Sequence, residues 1–396
     1  MPPARILPVI VFAQFAGTSL WFAGNAVLPE LQQSLGLKQE ALGLLTSAVQ
    51  LGFIAGTLCF SILSLADRVS PRLLFLICAI LGALTNGLVL FTSDSILSVL
   101  MLRALTGFLL AGIYPVGMRI AAGWYSTGLG KAIGYLVGAL VLGTAFPHLL
   151  RALGADFAWQ AVLLTVSMLA VSGGILLYLF VPDGPYMTKG AKFDISNLYQ
   201  VFRAKEFKGA ALGYFGHMWE LYTYWAFIPV ILRYTLPDLS VAGIAFWSFA
   251  VIAAGAVGCV AGGYVSGRFG SGKIAFIQLF LSGVCCALSF FLLVPQQSYT
   301  ILAFLIFWGI VVAGDSPQFS ALTAKTAPAP LVGTALTVVT SIGFAISIIS
   351  IQVMEFAIEH VPLRQALPSL VIGPVLGLFM LYRFTLRHKQ IKKPVR

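Results

Sequence analysis

LSLADRVSPRL, at Leu63–Leu73, is a short basic loop between two long apolar runs, and GGYVSGRFGSGK, at Gly262–Lys273, echoes it about 200 residues later. Two such loops at one offset mark the chain as two copies of one plan. The apolar flanks decide the class. With 59% apolar and 9% charged residues and a mean hydropathy of +0.95, the chain lies far outside the range of soluble globular domains. A spanning helix needs about 20 mainly apolar residues. Windows of that size predict twelve spans with short connections, at 6–28, 41–65, 73–91, 96–122, 132–150, 160–181, 209–232, 241–266, 274–294, 301–322, 331–354 and 366–384. The first run is itself of spanning length and precedes no soluble domain, so it reads as a span and not as a cleaved signal peptide.

Twelve spans put both termini on one side, and the Lys/Arg bias says which. Of the 24 Lys/Arg, four (Lys38, Arg151, Arg233 and Arg364) fall in the opposite loops and Arg103 lies within a span. The remaining 19 occupy the N-terminus, the even-numbered loops and the tail RHKQIKKPVR. A multi-pass protein of the inner (plasma) membrane with both termini cytoplasmic is therefore expected. The net charge of +11 follows from that bias and from attraction to anionic lipid, not from nucleic-acid binding. All five cysteines (Cys59, Cys78, Cys259, Cys285, Cys286) fall inside predicted spans, which speaks for packing and against a disulfide framework.

The longest polar stretch, 182–208, carries Lys189, Lys192, Arg203, Lys205 and Lys208 and divides the chain. Three regions are expected: an N-terminal six-helix bundle at 1–181, a cytoplasmic loop at 182–208, and a C-terminal bundle with a basic tail at 209–396. Laying residue i on i+200 matches Phe15 with Phe215, Pro29 with Pro229, Gly43 with Gly243 and Arg68 with Arg268; with a shift of two, AGIYP at Ala111–Pro115 falls on AGDSP at Ala313–Pro317. Parallel six-helix repeats imply halves related by an axis along the membrane normal, with a site near midplane between them.

This pattern resembles the major facilitator superfamily over essentially the whole chain. The family's signature between its second and third helices reads approximately G-x-x-x-D-R/K-x-G-R-R/K. Here Leu63, Asp67, Arg68, Ser70, Pro71 and Arg72 keep the acid and two bases but neither glycine. The second copy keeps Gly263, Arg268 and Gly270, has Gly267 in place of the acid and its last base one position late at Lys273. Arg103-x-x-x-Gly107 resembles the family's R-x-x-x-G element in the fourth helix. The resemblance implies an all-α integral membrane protein of twelve transmembrane helices in two pseudo-symmetric bundles, working by alternating access and usually monomeric. An Asp followed by Arg at a helix end can pair with a neighbouring bundle and hold one conformation. Asp67, Arg68, Arg72 and Arg268 are therefore candidates for a conformational latch, against plain positive-inside anchoring.

Gly52-x-x-x-Gly56, Gly130-x-x-x-Gly134-x-x-x-Gly138 and Gly263-x-x-x-Gly267 allow close backbone approach and read as packing elements. The fifth helix lacks the G-P-x-x-G-G core of many drug/proton antiporters of the superfamily. Resemblance to its nitrate/nitrite porters fails on their paired central arginines, since no Arg lies in the second or eighth span.

Ionisable groups at membrane depth are costly and usually face a cavity. Four lie well inside spans: Arg103, His217, Glu220 and Asp315; Arg119 and Glu355 fall near helix ends. At about 1.5 Å per residue, Glu220 lies roughly 15 Å and Asp315 roughly 20 Å from the starts of their helices, near midplane. His217, Glu220 and Tyr224 have i, i+3, i+7 spacing and share a face, flanked by Trp219, Tyr222 and Trp225. In the resembling family the first, fourth, seventh and tenth helices line the cavity. These would add Gln14, Trp21 and Asn25, then Tyr114, then Trp308 and Gln318. Each candidate has a bland alternative. Glu220 is a proton carrier or substrate contact, or a static pair with His217 or another helix; His217 relays a proton or binds substrate, or packs against Glu220 as a structural group; Asp315 is functional or a structural charge. Arg103 captures an anion or holds a carboxylate. Pro115 and Pro317 bend their helices.

His217-x-x-Glu220 offers two ligands at most, so no metal site is expected, and no cofactor. The chain has no H-E-x-x-H, no G-x-S-x-G and no phosphate-cradling loop, which speaks against an enzyme or an ATP-driven pump. The expected activity is secondary active transport of a small polar solute or anion, with proton symport into the cell favoured. The expected partners are that solute, protons and the bilayer. An uncoupled facilitator, a proton-driven exporter of amphipathic compounds, and a receptor or scaffold on a transporter fold are the alternatives.

Overall fold

The structure is a computed structural model that describes residues 2–35, 41–92, 95–125, 128–154, 158–187, 198–294, 298–328 and 331–386. Lys38, Lys189, Lys192 and the basic tail at 387–396 lie outside the described residues. All regular structure among the described residues is helical. In lipid every backbone polar group must be satisfied within the protein, and a helix does this within one segment.

Twelve helices follow the twelve apolar runs. They are α1 (Ile6–Thr18, unwound over 19–22, then Ala23–Ala26 and Leu28–Leu35), α2 (Ala41–Ile62), α3 (Pro71–Leu88), α4 (Ile96–Leu110, then Tyr114–Trp124), α5 (Leu129–Leu153) and α6 (Gln160–Phe180). After the linker come α7 (Lys205–Thr235), α8 (Val241–Phe269), α9 (Ser271–Leu292), α10 (Ser298–Gly314, then Ser316–Thr326), α11 (Val332–His360) and α12 (Leu363–Thr385). Among the described residues, ten are long and apolar enough to cross a membrane, α4 and α10 counted across their breaks. The other two crossings are α1, which is interrupted, and α7, whose 31 residues include the densest polar set in the chain.

Local chemistry sets the ends. Ser95 caps α4 by accepting the Ser98 N–H at 3.4 Å, and Ser240 caps α8 by accepting the Gly243 N–H at 3.1 Å. Pro71 opens α3 at a position where its missing N–H is harmless, and Gly270, at φ 86°, ends α8. Pro115 and Pro317 sit in the first turns of the second segments of α4 and α10, just after the breaks. The AGIYP and AGDSP elements therefore mark matching interruptions in the two halves.

Packing repeats as well. A Cβ on Gly107 of α4 would stand 1.9 Å from the Val49 carbonyl oxygen of α2, and one on Gly309 of α10 would stand 2.1 Å from that of Val251 of α8. Gly56 against the Phe108 carbonyl matches Gly258 against the Ile310 carbonyl, at 2.3 and 1.9 Å. All four residues of each set are related by one offset of 202 positions. Side chains are absent from these crossings because the backbones themselves touch.

Two seams join the halves. Along α5 and α8, Gly134 opposes Gly263 and the hydroxyls of Tyr135 and Tyr264 meet at 2.9 Å. Along α2 and α11, Ser61 meets Thr337 at 3.0 Å, Phe53 packs on Phe344 with centroids 4.6 Å apart, and Gln352 donates to Ser47 at 3.0 Å. Beyond them Glu355 accepts the Gly43 N–H at 3.0 Å. Contacts of Arg5 with Phe180 and of Thr385 with Glu206 define the linker end of the molecule; Glu355 lies at the far end.

Candidate functional site

The side chains selected by depth gather in two buried networks, one in each half, with an aromatic cluster between them. In the N-terminal half, Arg103 is buried at 1% exposure. It donates to the carbonyls of Leu20 and Trp21 at 2.9 and 2.7 Å and to Asn86 Oδ1 at 2.8 Å. Leu20 and Trp21 lie in the unwound stretch of α1, whose carbonyls have lost helical partners. Asn86 in turn donates to the Leu163 carbonyl and to Ser167 of α6. Arg103 thus holds the break in α1 against α3, α4 and α6. Gly24 allows the approach, since a Cβ there would lie 3.3 Å from Arg103 Nε. With its guanidinium committed to the backbone, Arg103 positions Trp21 and not an anion in this conformation.

Trp21 carries that position across to the other half. Its ring stacks on Tyr222 of α7 at 5.7 Å and on Phe344 of α11 at 5.4 Å, and meets Phe53 at 4.9 Å. Trp225 meets Phe22 edge-on at 6.4 Å. The aromatic flank of α7 therefore faces the other half.

The His217, Glu220 and Tyr224 face of α7 points the other way, into the C-terminal bundle. His217 Nδ1 lies 2.8 Å from Asp315 Oδ1, and its Nε2 shares a hydrogen bond with Ser316 Oγ at 2.7 Å. His217 and Asp315 are fully buried, while Ser316 is half-buried. The break in α10 makes this possible, because it turns Asp315 and Ser316 together onto one imidazole. Glu220 Oε2 accepts from Ser282 Oγ at 2.8 Å and from Cys286 Sγ at 3.1 Å, both on α9. None of the ion pairs among the described residues includes Glu220. Tyr224 donates to the Leu305 carbonyl at 2.7 Å and stacks on Trp308 at 4.3 Å. The shared face is real, and it packs on α9 and α10.

Of the remaining candidates, Gln14 is fully buried with its amide unpartnered, facing Gly117 of α4. Asn25 donates to Thr46 Oγ1 at 2.8 Å. Tyr114 is half-buried at the start of the second α4 segment, and Gln318 is buried in the second segment of α10. Of the latch residues, Asp67 pairs with Arg119 of α4 in its own half, and Arg72 with Asp183 of the linker at 4.0 Å. Arg68 is exposed, and Arg268 lies over the Phe269 ring.

Several contributing residues escape a search by charge and depth. Ser316, Ser282 and Cys286 are ordinary inside a helix, and only the side chains they meet give them meaning. Asn86, Phe53 and Phe344 are equally inconspicuous. Glu355 and Arg119 are discounted in the sequence as too near helix ends, yet both bind across elements.

The geometry has a counterpart among known proteins. The family model of the Major Facilitator Superfamily matches residues 10–351. The chain belongs to the major facilitator superfamily. A comparison with curated proteins finds no match. Among solved structures, the human organic anion transporter MFSD10 (TETRAN) is similar in fold, with a TM-score of 0.75 and 15% identity over 96% of this chain and 100% of that one. Members of this superfamily are membrane transporters and not enzymes, so the buried polar groups belong to a transporter of small molecules.

Proposed function

We propose that this superfamily member is a secondary active transporter that couples proton entry to uptake of a small polar solute or anion by rocking of its two halves. The bundles are taken as 1–181 and 209–396, the loop 182–208 and both termini as cytoplasmic, and the membrane as the inner (plasma) membrane. The linker end then faces the cytoplasm. The observation that carries the reading is the run Ser316–His217–Asp315, hydrogen-bonded at its Ser316 end and a close charge pair at its Asp315 end, with Glu220 three residues from His217 on α7. A charge held at such depth costs several kcal/mol unless compensated, and a proton removes it. Ser316 is the half-buried member of the run, and the solute is taken to bind where the halves meet, by parting the stacked rings of Trp21, Tyr222 and Phe344. Proton arrival at Asp315 or Glu220 would then change the charge of the C-terminal bundle by one and shift the balance between its two packings.

The aromatic cluster favours a second reading, proton-driven export of amphipathic compounds, because stacked rings bind apolar bodies better than they bind small polar ions. The test is substrate-induced proton movement in proteoliposomes that enclose a pH dye, screening small anions and polar metabolites, with Glu220→Gln and Asp315→Asn beside the wild type. Proton entry that accompanies solute and is lost in either variant supports uptake by symport. Proton movement opposite to the solute supports export. Flux without proton movement, unchanged in both variants, overturns coupling and leaves a facilitator.

A further inference from the structure

At the far end a small cavity of about 50 Å³ lies on the seam between the halves. Its polar lining is Asn25 and Glu30 of α1, His148 and Arg151 of α5, Arg233 of α7 and Ser248 of α8. Glu30 is engaged by Arg151 through Oε1, its Oε2 staying buried without a hydrogen-bond partner; Asn25 donates to Thr46 and Ser248 to the Ile244 carbonyl at 2.7 Å. That leaves His148 and Arg233 as the donor side chains without a protein acceptor among the described residues. The imidazole is 3% exposed, and its Nε2 is buried without a hydrogen-bond partner. Arg233 forms no ion pair within 4.0 Å among the described residues. It stands between this cavity and a wider one of about 270 Å³ that Glu355 and Glu359 also line.

A buried polar nitrogen without a partner costs roughly 1–3 kcal/mol, and such groups are normally satisfied by water or an ion. The lining decides between the two. With the charge of Glu30 balanced by Arg151, the lining keeps one net positive charge, on the exposed Arg233, beside the buried imidazole, and no further carboxylate. A cavity of this size has room for one small ion or a water or two. An anion would accept from both groups, and charge-assisted bonds are about twice as strong as neutral ones.

We propose that this cavity is a binding site for a small inorganic anion of chloride size, held between His148 of the N-terminal half and Arg233 of the C-terminal half. Because its two donors come from different halves, the bound anion ties the far ends of α5 and α7 together and favours the conformation closed at that end. The site lies apart from the buried networks around Arg103 and Asp315 and needs no assumption about which ion drives transport.

The test uses the purified full-length protein. Thermal unfolding is followed by tryptophan fluorescence in sodium chloride and in sodium gluconate at matched ionic strength, across a chloride titration. The wild type is expected to melt higher in chloride, with saturation, as for any ligand that binds only the folded state. Arg233→Gln, at an exposed position that tolerates loss of the charge, is expected to weaken the apparent chloride affinity by about tenfold or more. His148→Ala is expected to abolish the shift, and Arg268→Gln, exposed in the last turn of α8 at the linker end, to leave it intact. Equal melting of the wild type in both salts overturns the proposal and leaves a water-filled cavity. A saturable shift of unchanged affinity in Arg233→Gln also overturns it, by placing the chloride elsewhere. Should His148→Ala not fold, Arg233→Gln decides alone.

Discussion

Glu355 reaches from α11 into the other half and accepts the N–H of Gly43 at 3.0 Å. Gly43 is the third residue of α2, so this N–H belongs to the first turn and has no acceptor within its own helix. The carboxylate therefore acts as a cap supplied across the seam, with the helix dipole adding to the attraction. Hydrogen bonds to charged groups contribute about 1.5–3 kcal/mol net. Glu355→Ala removes one that exists only while the far end is closed, and should raise the ratio of far-end-open to far-end-closed molecules about 10- to 150-fold. Gly43→Ala reaches the same bond from the other side, since its Cβ would stand 1.9 Å from Glu355 Oε2 and 2.8 Å from Gln352 Nε2.

The assay is double electron–electron resonance between spin labels at Leu153→Cys on α5 and Val241→Cys on α8, two exposed far-end positions in different halves, with the half-buried Cys59 replaced by Ser. Each single variant should move population to the longer distance. The double variant should open no further than Glu355→Ala alone, because both changes break one interaction and such effects do not add. Unchanged distance distributions in both single variants, or a double variant whose effect equals their sum, would refute the reasoning.

Four further outcomes follow from the packing and the backbone. Arg103→Ala should lower stability by about 3–5 kcal/mol, since it strands the buried carbonyls of Leu20 and Trp21 together with Asn86; detergent melting equal to wild type would remove Arg103 as the support of the α1 break. Gly107→Ala must push α4 off the Val49 carbonyl of α2 and should cost roughly 1–3 kcal/mol. Gly130→Ala, where a Cβ meets nothing within 4 Å, should be neutral or stabilise by about 0.4–1 kcal/mol, and the two are compared by the same melt. Ser64 adopts a left-handed φ of 48° where the chain turns out of α2, so Ser64→Gly should raise stability by about 1 kcal/mol; a loss of stability would show that the Ser64 side chain contributes more than its backbone strain costs.

The sequence was most informative where lipid leaves few choices. Apolar length predicts the crossings because a bilayer admits little else, and the glycine spacings predict close crossings because lipid removes the usual hydrophobic drive between helices. Gly52 and Gly56 meet the carbonyls of residues 104 and 108, and Gly134 opposes Gly263, whereas Gly267 faces open space. The bends after Ala111 and Ala313 were legible for a similar reason: Pro115 and Pro317 cannot continue the hydrogen-bond ladder behind them.

Periodicity could place His217, Glu220 and Tyr224 on one face but could not aim that face. Both a wet gap and a bundle interior accept polar side chains provided partners are present, and the partners here, Ser282, Cys286, Ser316 and the Leu305 carbonyl, come from α9 and α10. The opposite flank, Tyr222 and Trp225, is the one that meets the N-terminal half.

Depth misled in the same way at Glu355. A span ending at 354 leaves that carboxylate in the headgroup region, where a charge needs no explanation. The helix instead continues to His360 and turns the carboxylate onto a first-turn N–H of the other half. A transporter that rocks must make its strongest contacts between halves where they can be broken, and the ends of helices are where unpaired backbone donors wait for a partner. Under the proposed rocking, a charge close to a helix end therefore carries more information about the interface between the halves than Arg103, His217 or Asp315, whose partners lie within a single bundle.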